Sequence, residues 1–216
     1  MAVFGAFGKM PGLGDFFRFG VAADFVAGWD VWLQSGILAA RAALAGRWDD
    51  CYLSAPIWRF TLAPGLAGAE AAQGVLMASV DQAGRQFPLT LVRALPDGVD
   101  PVAAHLSAGA QFDALEKVAL SALDQDLSAA SLKERLSPIP ASTALEGSDG
   151  AAVPGFLWLR ASDPAPALAA MLAGREFPRP AVFSALMPGG QCLFLSAGMP
   201  PAARFAQLID PAGLQP

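Results

Sequence analysis

The sequence contains no asparagine, one histidine, one tyrosine, two cysteines and three lysines in 216 residues. The shortages of histidine, cysteine and lysine each bear on a class of chemistry. A single histidine, His105, excludes a cluster with zinc-ligand spacing. It is also the one imidazole available to a Ser/His/Asp or Cys/His system. Its neighbours Ala103, Ala104, Leu106 and Ser107 put it on an expected helix, as a surface or boundary residue rather than a general base. Cys51 and Cys192 lie far apart and form no paired motif, which suits a reducing compartment and thiols used as small core groups. The lysines (Lys9, Lys117, Lys133) are scattered and the net charge is −5. Nucleic acid needs clustered Lys and Arg, and an anionic membrane surface needs a basic patch, so neither is an expected partner.

Charge is scarce as well. Charged residues make up 15% of the chain, against the ~25% of an ordinary soluble domain. The hydrophobic share is 54% and the mean hydropathy +0.43. A spanning helix needs about 18–20 nearly uninterrupted apolar residues. Residues 37–44 are broken by Arg41, and residues 182–195 by Pro188, Gly189 and Gly190. The 45 alanines inflate the hydropathy, and the larger apolar residues amount to roughly a third of the chain, a globular share. The opening Met1-Ala2-Val3-Phe4-Gly5 has no basic n-region followed by an apolar h-region, so no signal peptide is expected.

Length suits one domain over 1–216, read as a first half 1–136, a flexible connection 137–154 of Ser/Pro/Gly/Ala composition, and a second half 155–216. Residues 2–7 read as a strand that runs into a Gly/Pro loop at 8–15. A helix is expected over 22–45. Phe25, Trp29, Trp32, Leu33, Gly36, Ala40 and Leu44 form its apolar stripe, and Gly46 its stop. Residues 57–62 read as a strand, and 74–80 with 87–95 as a hairpin. Asp100-Pro101 is a helix start, with Asp as N-cap and Pro at the first position, for a helix to about 127 kinked at Gly109. Helical turns at 131–136, a strand at 156–159, a helix from Asp163-Pro164 to about 173, a hairpin of 181–187 with 191–196, and a last helix from Pro200-Pro201 to about 209 complete the chain. Tight hairpins predict an α/β fold with a mixed, largely antiparallel sheet covered by helices.

Catalytic patterns are thin. No Gly-x-Ser-x-Gly elbow occurs. The loop 8–14 carries Lys9, yet its spacing matches neither the P-loop nor the dinucleotide fingerprint, and a strained turn leaving a strand fits it as well. Asp15, Asp30 and Asp81 form a carboxylate set that nothing local forces together. Four of the five tryptophans fall within 29–58: Trp29, Trp32, Trp48 and Trp58. Such rings serve as core mass and also as interface hot spots. Arg59 faces away from Trp58 on the same strand, toward solvent or a buried Asp. Asp81 and Arg85 bracket a turn and suit a local ion pair.

Four ordered motifs carry a resemblance. They are Phe7-Gly8-Lys9-Met10-Pro11-Gly12-Leu13-Gly14-Asp15-Phe16, Trp29-Asp30-x-Trp32-Leu33-Gln34, Pro56-Ile57-Trp58-Arg59-Phe60, and Gly74-Val75-Leu76-Met77-Ala78-Ser79-Val80-Asp81. The last runs on into Gly84-Arg85 and Phe87-Pro88-Leu89. Together they resemble the TagF (ImpM) family of type VI secretion accessory proteins. Phe156-Leu157-Trp158 and Gly198-Met199-Pro200 extend the likeness more loosely. Gly12 stands where that family often has Ser, Leu13 where it has Arg, and Ala78 where Pro is usual. The resemblance implies a three-layer α/β/α sandwich. It implies a cytoplasmic protein that is not an enzyme and has no cofactor, acting as a post-translational repressor of type VI secretion. The partner it implies is the Fha scaffold, which carries a forkhead-associated domain.

The candidate partner-binding residues are Lys9, Asp15, Arg18, Trp29, Asp30, Trp32, Trp58, Arg59, Asp81 and Arg85, centred on the loop 8–18 and the turn 81–86, because these place polar groups on expected loops. Two other readings stand beside this one. In the first, Asp15, Arg59, Asp81 and Arg85 form an internal ion-pair network. In the second, the same loops form the pocket of a small-ligand-binding or hydrolytic domain.

Overall fold

A computed structural model describes residues 3–140, 149–153, 156–160 and 165–211. Its strands are β1 (Gly5–Gly8), β2 (Phe17–Phe19), β3 (Trp58–Leu62), β4 (Ala72–Met77), β5 (Leu89–Ala94), β6 (Asp149–Val153), β7 (Phe156–Arg160), β8 (Pro180–Met187) and β9 (Gly190–Ala197). Seven of them form one sheet in the order β2-β1-β5-β4-β3-β8-β9, while β6 and β7 pair separately as a hairpin. Every one of these pairings is antiparallel. The helices are α1 (Ala23–Leu44), α2 (Trp48–Leu53), α3 (Pro101–Ser107), α4 (Gly109–Ser121), α5 (Ala129–Leu136), α6 (Ala165–Glu176) and α7 (Phe205–Ile209).

The period-two alternation of strands divides the core into two layers. On β3, Trp58, Phe60 and Leu62 face α1, α2 and α7. On β8, Ala181, Phe183 and Ala185 face the same way, and together these residues make the larger cluster. On the opposite face, Val75, Met77, Leu89 and Leu91 pack under α4 and α5, while Val182 packs under α3 and α6. The fold is therefore an α/β/α sandwich.

Helix α1 is the main lid of the first layer, and its buried residues are the seven of the expected stripe. Gly36 lets α7 approach closely: a Cβ there would stand 2.2 Å from the Phe205 ring. Indole N–H groups then fix the chain's last helix in place. Trp32 donates to the Pro200 carbonyl at 2.8 Å and Trp58 to the Leu208 carbonyl at 2.7 Å. The Asp100 carboxylate accepts from the Val102 and Ala103 amides, both at 2.9 Å, and caps α3 as expected. Asp100→Ala should cost about 1 kcal/mol, a fall of about 2–4 °C in melting temperature by circular dichroism.

Several boundaries differ from those read in the sequence. The expected strand at 2–7 begins at Gly5. β2 and α2 were unexpected: β2 has three residues, and α2 follows α1 through one 3-10 turn. Gly46 does not stop α1. The reversal falls on Ala45, with φ 47°, and the chain re-enters a helix. The kink at Gly109 is a full break at Ala108, and α4 ends at Ser121. Residues 149–153, placed in the flexible connection, form β6, whose register with β7 runs from Asp149↔Arg160 to Val153↔Phe156. The rest of that connection beyond residue 140, like the Asp163-Pro164 helix start, lies outside the described residues.

Candidate functional site

The loop after β1 and the turn after β4 meet, and one carboxylate joins them. β1 ends at Gly8, whose φ of 132° and proximity to Pro88 exclude a side chain: a Cβ would stand 2.1 Å from the Pro88 carbonyl oxygen. This tight exit turns Lys9 inward, where it is 6% exposed. Its Nζ donates to Asp81 Oδ2 at 2.8 Å. Asp81 is 2% exposed and makes a turn of its own. Its Oδ1 accepts from the Ala83 amide at 3.0 Å and the Arg85 amide at 2.9 Å, an Asx-type arrangement closed by Gly84 at φ 77°. Arg85 Nε completes the set at 2.7 Å to Oδ2. The same guanidinium donates to the Gly14 carbonyl at 2.7 Å, and the Gln82 amide donates to the Leu13 carbonyl at 2.9 Å.

Asp81 is thus the clasp of two loops, and both of its oxygens are fully used. Burial works to raise its carboxyl. The hydrogen bonds from Lys9 and from the Arg85 backbone and side chain, with the Lys9 charge, outweigh burial and hold it well below the usual carboxylate range.

Phe16 roofs the clasp. Its ring lies 4.8 Å from Lys9 Nζ and packs edge-on to Phe87 with centroids 4.7 Å apart. It is still 48% exposed. Beside it, among the described residues, Asp15 accepts only from the Phe16 amide, at 2.8 Å, and Arg18 projects from β2 as an exposed cation without an ion pair. Gln86 extends this surface toward α2: it accepts from Arg41 and from the Trp48 indole, and donates to Asp49. Phe16 and Gln86 were not among the expected site residues. Both lie in or beside the motifs, and exposure of Phe16 is a tertiary property that no spacing encodes.

The remaining expected residues lie elsewhere. Trp29, Trp32 and Trp58 are buried in the first core layer. Asp30 accepts from Gln34 one helical turn on, at 2.7 Å. Arg59 stands on the opposite face of the sheet, with Nε 2.6 Å from Glu116 and Nη2 2.7 Å from Asp113 of α4. The expected four-member ion network therefore splits: Asp81 and Arg85 join Lys9, Arg59 pairs on the other face, and Asp15 joins neither.

Under α3 and α4 runs a buried polar seam. His105, expected at the surface or a boundary, is 3% exposed, with Nε2 2.8 Å from the Ser184 hydroxyl and Nδ1 3.0 Å from the Thr61 hydroxyl. Burial, aided by the Arg59 charge, lowers its pKa to about 3, so it is neutral. The Ser184 hydroxyl is enclosed with it. Among the described residues Arg93 donates only to neutral acceptors, the side-chain oxygens of Gln73 and Gln111, and burial lowers its pKa.

A cavity of about 570 Å³ opens at the start of α1, lined chiefly by Val21, Phe25, Ala72 and Val92 with Asp24 and Glu70. Neither the clasp nor Phe16 lines it. Among the described residues no group of three His, Cys, Asp or Glu side chains could hold a metal ion, and no helix is long and apolar enough to cross a membrane.

Comparison with known proteins adds two findings. The TagF N-terminal domain family, described as type VI secretion system-associated, matches residues 5–139. The crystal structure of PA0076 from Pseudomonas aeruginosa PAO1 is similar over 98% of this chain and 96% of that one, at 33% identity and a TM-score of 0.80. No curated protein matches.

Proposed function

The chain belongs to the TagF family of type VI secretion-associated proteins, and we propose on that premise that it restrains the secretion system after translation by binding the Fha scaffold. The protein works as a cytoplasmic binding module without catalysis or cofactor. The docking surface is the clasped pair of loops, with Phe16 and Arg18 as the contact residues and Lys9, Asp81 and Arg85 as the frame beneath them.

One observation carries this reading. The two loops that hold most of the family-like polar residues are locked to each other by Asp81, so exposed Phe16 and exposed Arg18, which has no ion pair among the described residues, are presented on a cross-linked base. Exposed aromatic and Arg side chains on a preorganised support are the residue types that dominate binding energy. Trp29, Trp32 and Trp58 pack in the first core layer and take no part in the contact.

Arg18→Glu combined with Phe16→Ala should weaken binding to purified Fha scaffold at least tenfold by calorimetry while leaving the melting temperature within a few degrees. Deleting the gene should raise secretion with transcript levels unchanged. Unaltered affinity in the double variant would remove the loop surface from the reading. No scaffold binding by the wild type, with unchanged secretion on deletion, would remove the repressor role itself. The ligand-binding alternative gains nothing from Asp81, whose two oxygens are used within the clasp. It requires a small molecule that raises the melting temperature.

A further inference from the structure

We propose that the outer edge of β9 is a self-association surface, where a second copy of this chain adds its own β9 antiparallel across a two-fold axis. This goes beyond the scaffold-binding reading and uses none of its residues.

The two edges of the sheet differ. β2 has three residues and carries exposed Arg18, both devices that discourage strand addition. β9 has eight residues, Gly190-Gln191-Cys192-Leu193-Phe194-Leu195-Ser196-Ala197, with no charge and no proline. Its register with β8 is continuous from Pro180↔Ala197 to Met187↔Gly190, so no bulge twists it away. Among the described residues its other side pairs with nothing. A long, uncharged edge without a bulge is a template for another strand.

The apolar surface beside this edge points the same way. Leu193 is 53% and Leu186 58% exposed. The pairs Ser184↔Leu193 and Leu186↔Gln191 place these two leucines diagonally on the face that bears α6. A strand added along β9 covers Leu193 and extends apolar contact to Leu186.

Charge leaves a second copy free to dock. The chain carries −5 overall, yet nothing on β9 repels an identical edge and nothing attracts a charged foreign one. A two-fold axis perpendicular to the sheet keeps each face in common, so opposed residues share parity. Centred on Leu193, it sets Leu193 against its own counterpart, Cys192 against Phe194 and Gln191 against Leu195. Each surface is its own complement, as an isologous contact requires.

Sedimentation equilibrium from about 1 µM to about 1 mM spans the affinities of modest interfaces. The wild type should pass from 22.3 kDa toward twice that mass. Leu193→Lys should stay monomeric throughout with an unchanged melting temperature, because the residue is exposed. In a Cys51→Ser, Cys192→Ser background, Leu193→Cys should give a reducible dimer on mild oxidation, since opposed Cα atoms about 4.5–5.5 Å apart lie within disulfide reach. A wild type of monomer mass at every concentration overturns the proposal. So does a dimer that survives Leu193→Lys without cross-linking. Capture of an unrelated uncharged strand peptide by a wild type that never dimerises assigns the edge to a foreign strand, and equally overturns it.

Discussion

Asp81→Asn is expected to lower the melting temperature by on the order of 10 °C. The substitution keeps the side chain's shape, so packing is not what it tests. It removes the charge that Lys9 meets 2.8 Å away in a buried site, and it replaces one acceptor oxygen of the clasp with an amide donor. Breaking a buried pair by removing one partner is costly because the other charge stays buried without compensation. Lys9→Met in the Asp81→Asn background should recover part of the loss, since the stranded cation is then gone. The pH dependence has a definite sign. The folded-state pKa of Asp81 is depressed, so its contribution is fully present above the ordinary carboxylate value of about 4 and is lost as pH falls below it toward the folded value. Wild-type melting temperature should therefore drop on acidification below about pH 4, and Asp81→Asn should show a shallower acid limb. An unchanged melting temperature with an unchanged acid limb would mean that the clasp contributes nothing to stability.

The clasp also marks the boundary of what the sequence discloses. The half of it between Asp81 and Arg85 is local, four residues apart around a Gly-containing turn, and is readable as a turn with an ion pair. The half that reaches Lys9 spans 72 residues and depends on β1 and β4 lying two strands apart, with β5 between them. No pattern along the chain carries that neighbour relation. Arg59 teaches the same lesson: period-two alternation gives its face, while its partners Asp113 and Glu116 come from a helix whose placement is tertiary. Periodic features were legible because each is a local repeat. The seven-residue stripe of α1 is one, and the Asp100 cap was legible from the adjacent Asp-Pro pair alone. β2 was hidden by its length, since three residues carry too little alternation to register. His105 was misplaced because its alanine neighbours fit a surface helix as well as a buried one. Burial here is bought by two hydroxyls on β3 and β8, which a helix window does not contain.

Trp29→Ala should cost about 3–5 kcal/mol, a fall of about 10 °C or more in melting temperature. Trp29 is fully enclosed, with ring centroids 5.5 Å from Phe25, 4.6 Å from Trp32 and 4.7 Å from Phe60. Its indole N–H donates to the Thr90 hydroxyl at 2.9 Å, and Thr90 is itself buried on β5. Truncation therefore removes ring contacts to both α1 and β3 and takes a hydrogen-bond donor from an enclosed hydroxyl. Trp29→Phe separates these terms: it restores most of the apolar volume and leaves only the Thr90 hydroxyl without its donor, so it should lie well above Trp29→Ala in stability. The pair also separates two readings of any loss of the proposed scaffold binding. Trp29→Ala should weaken binding only where the protein has begun to melt, and binding should return on cooling. Phe16→Ala with Arg18→Glu should weaken it at every temperature. If Trp29→Ala lost affinity while fully folded, the tryptophan layer would be transmitting its packing to the loops through Phe60, β3 and β4, and the contact surface would have to extend beyond Phe16 and Arg18.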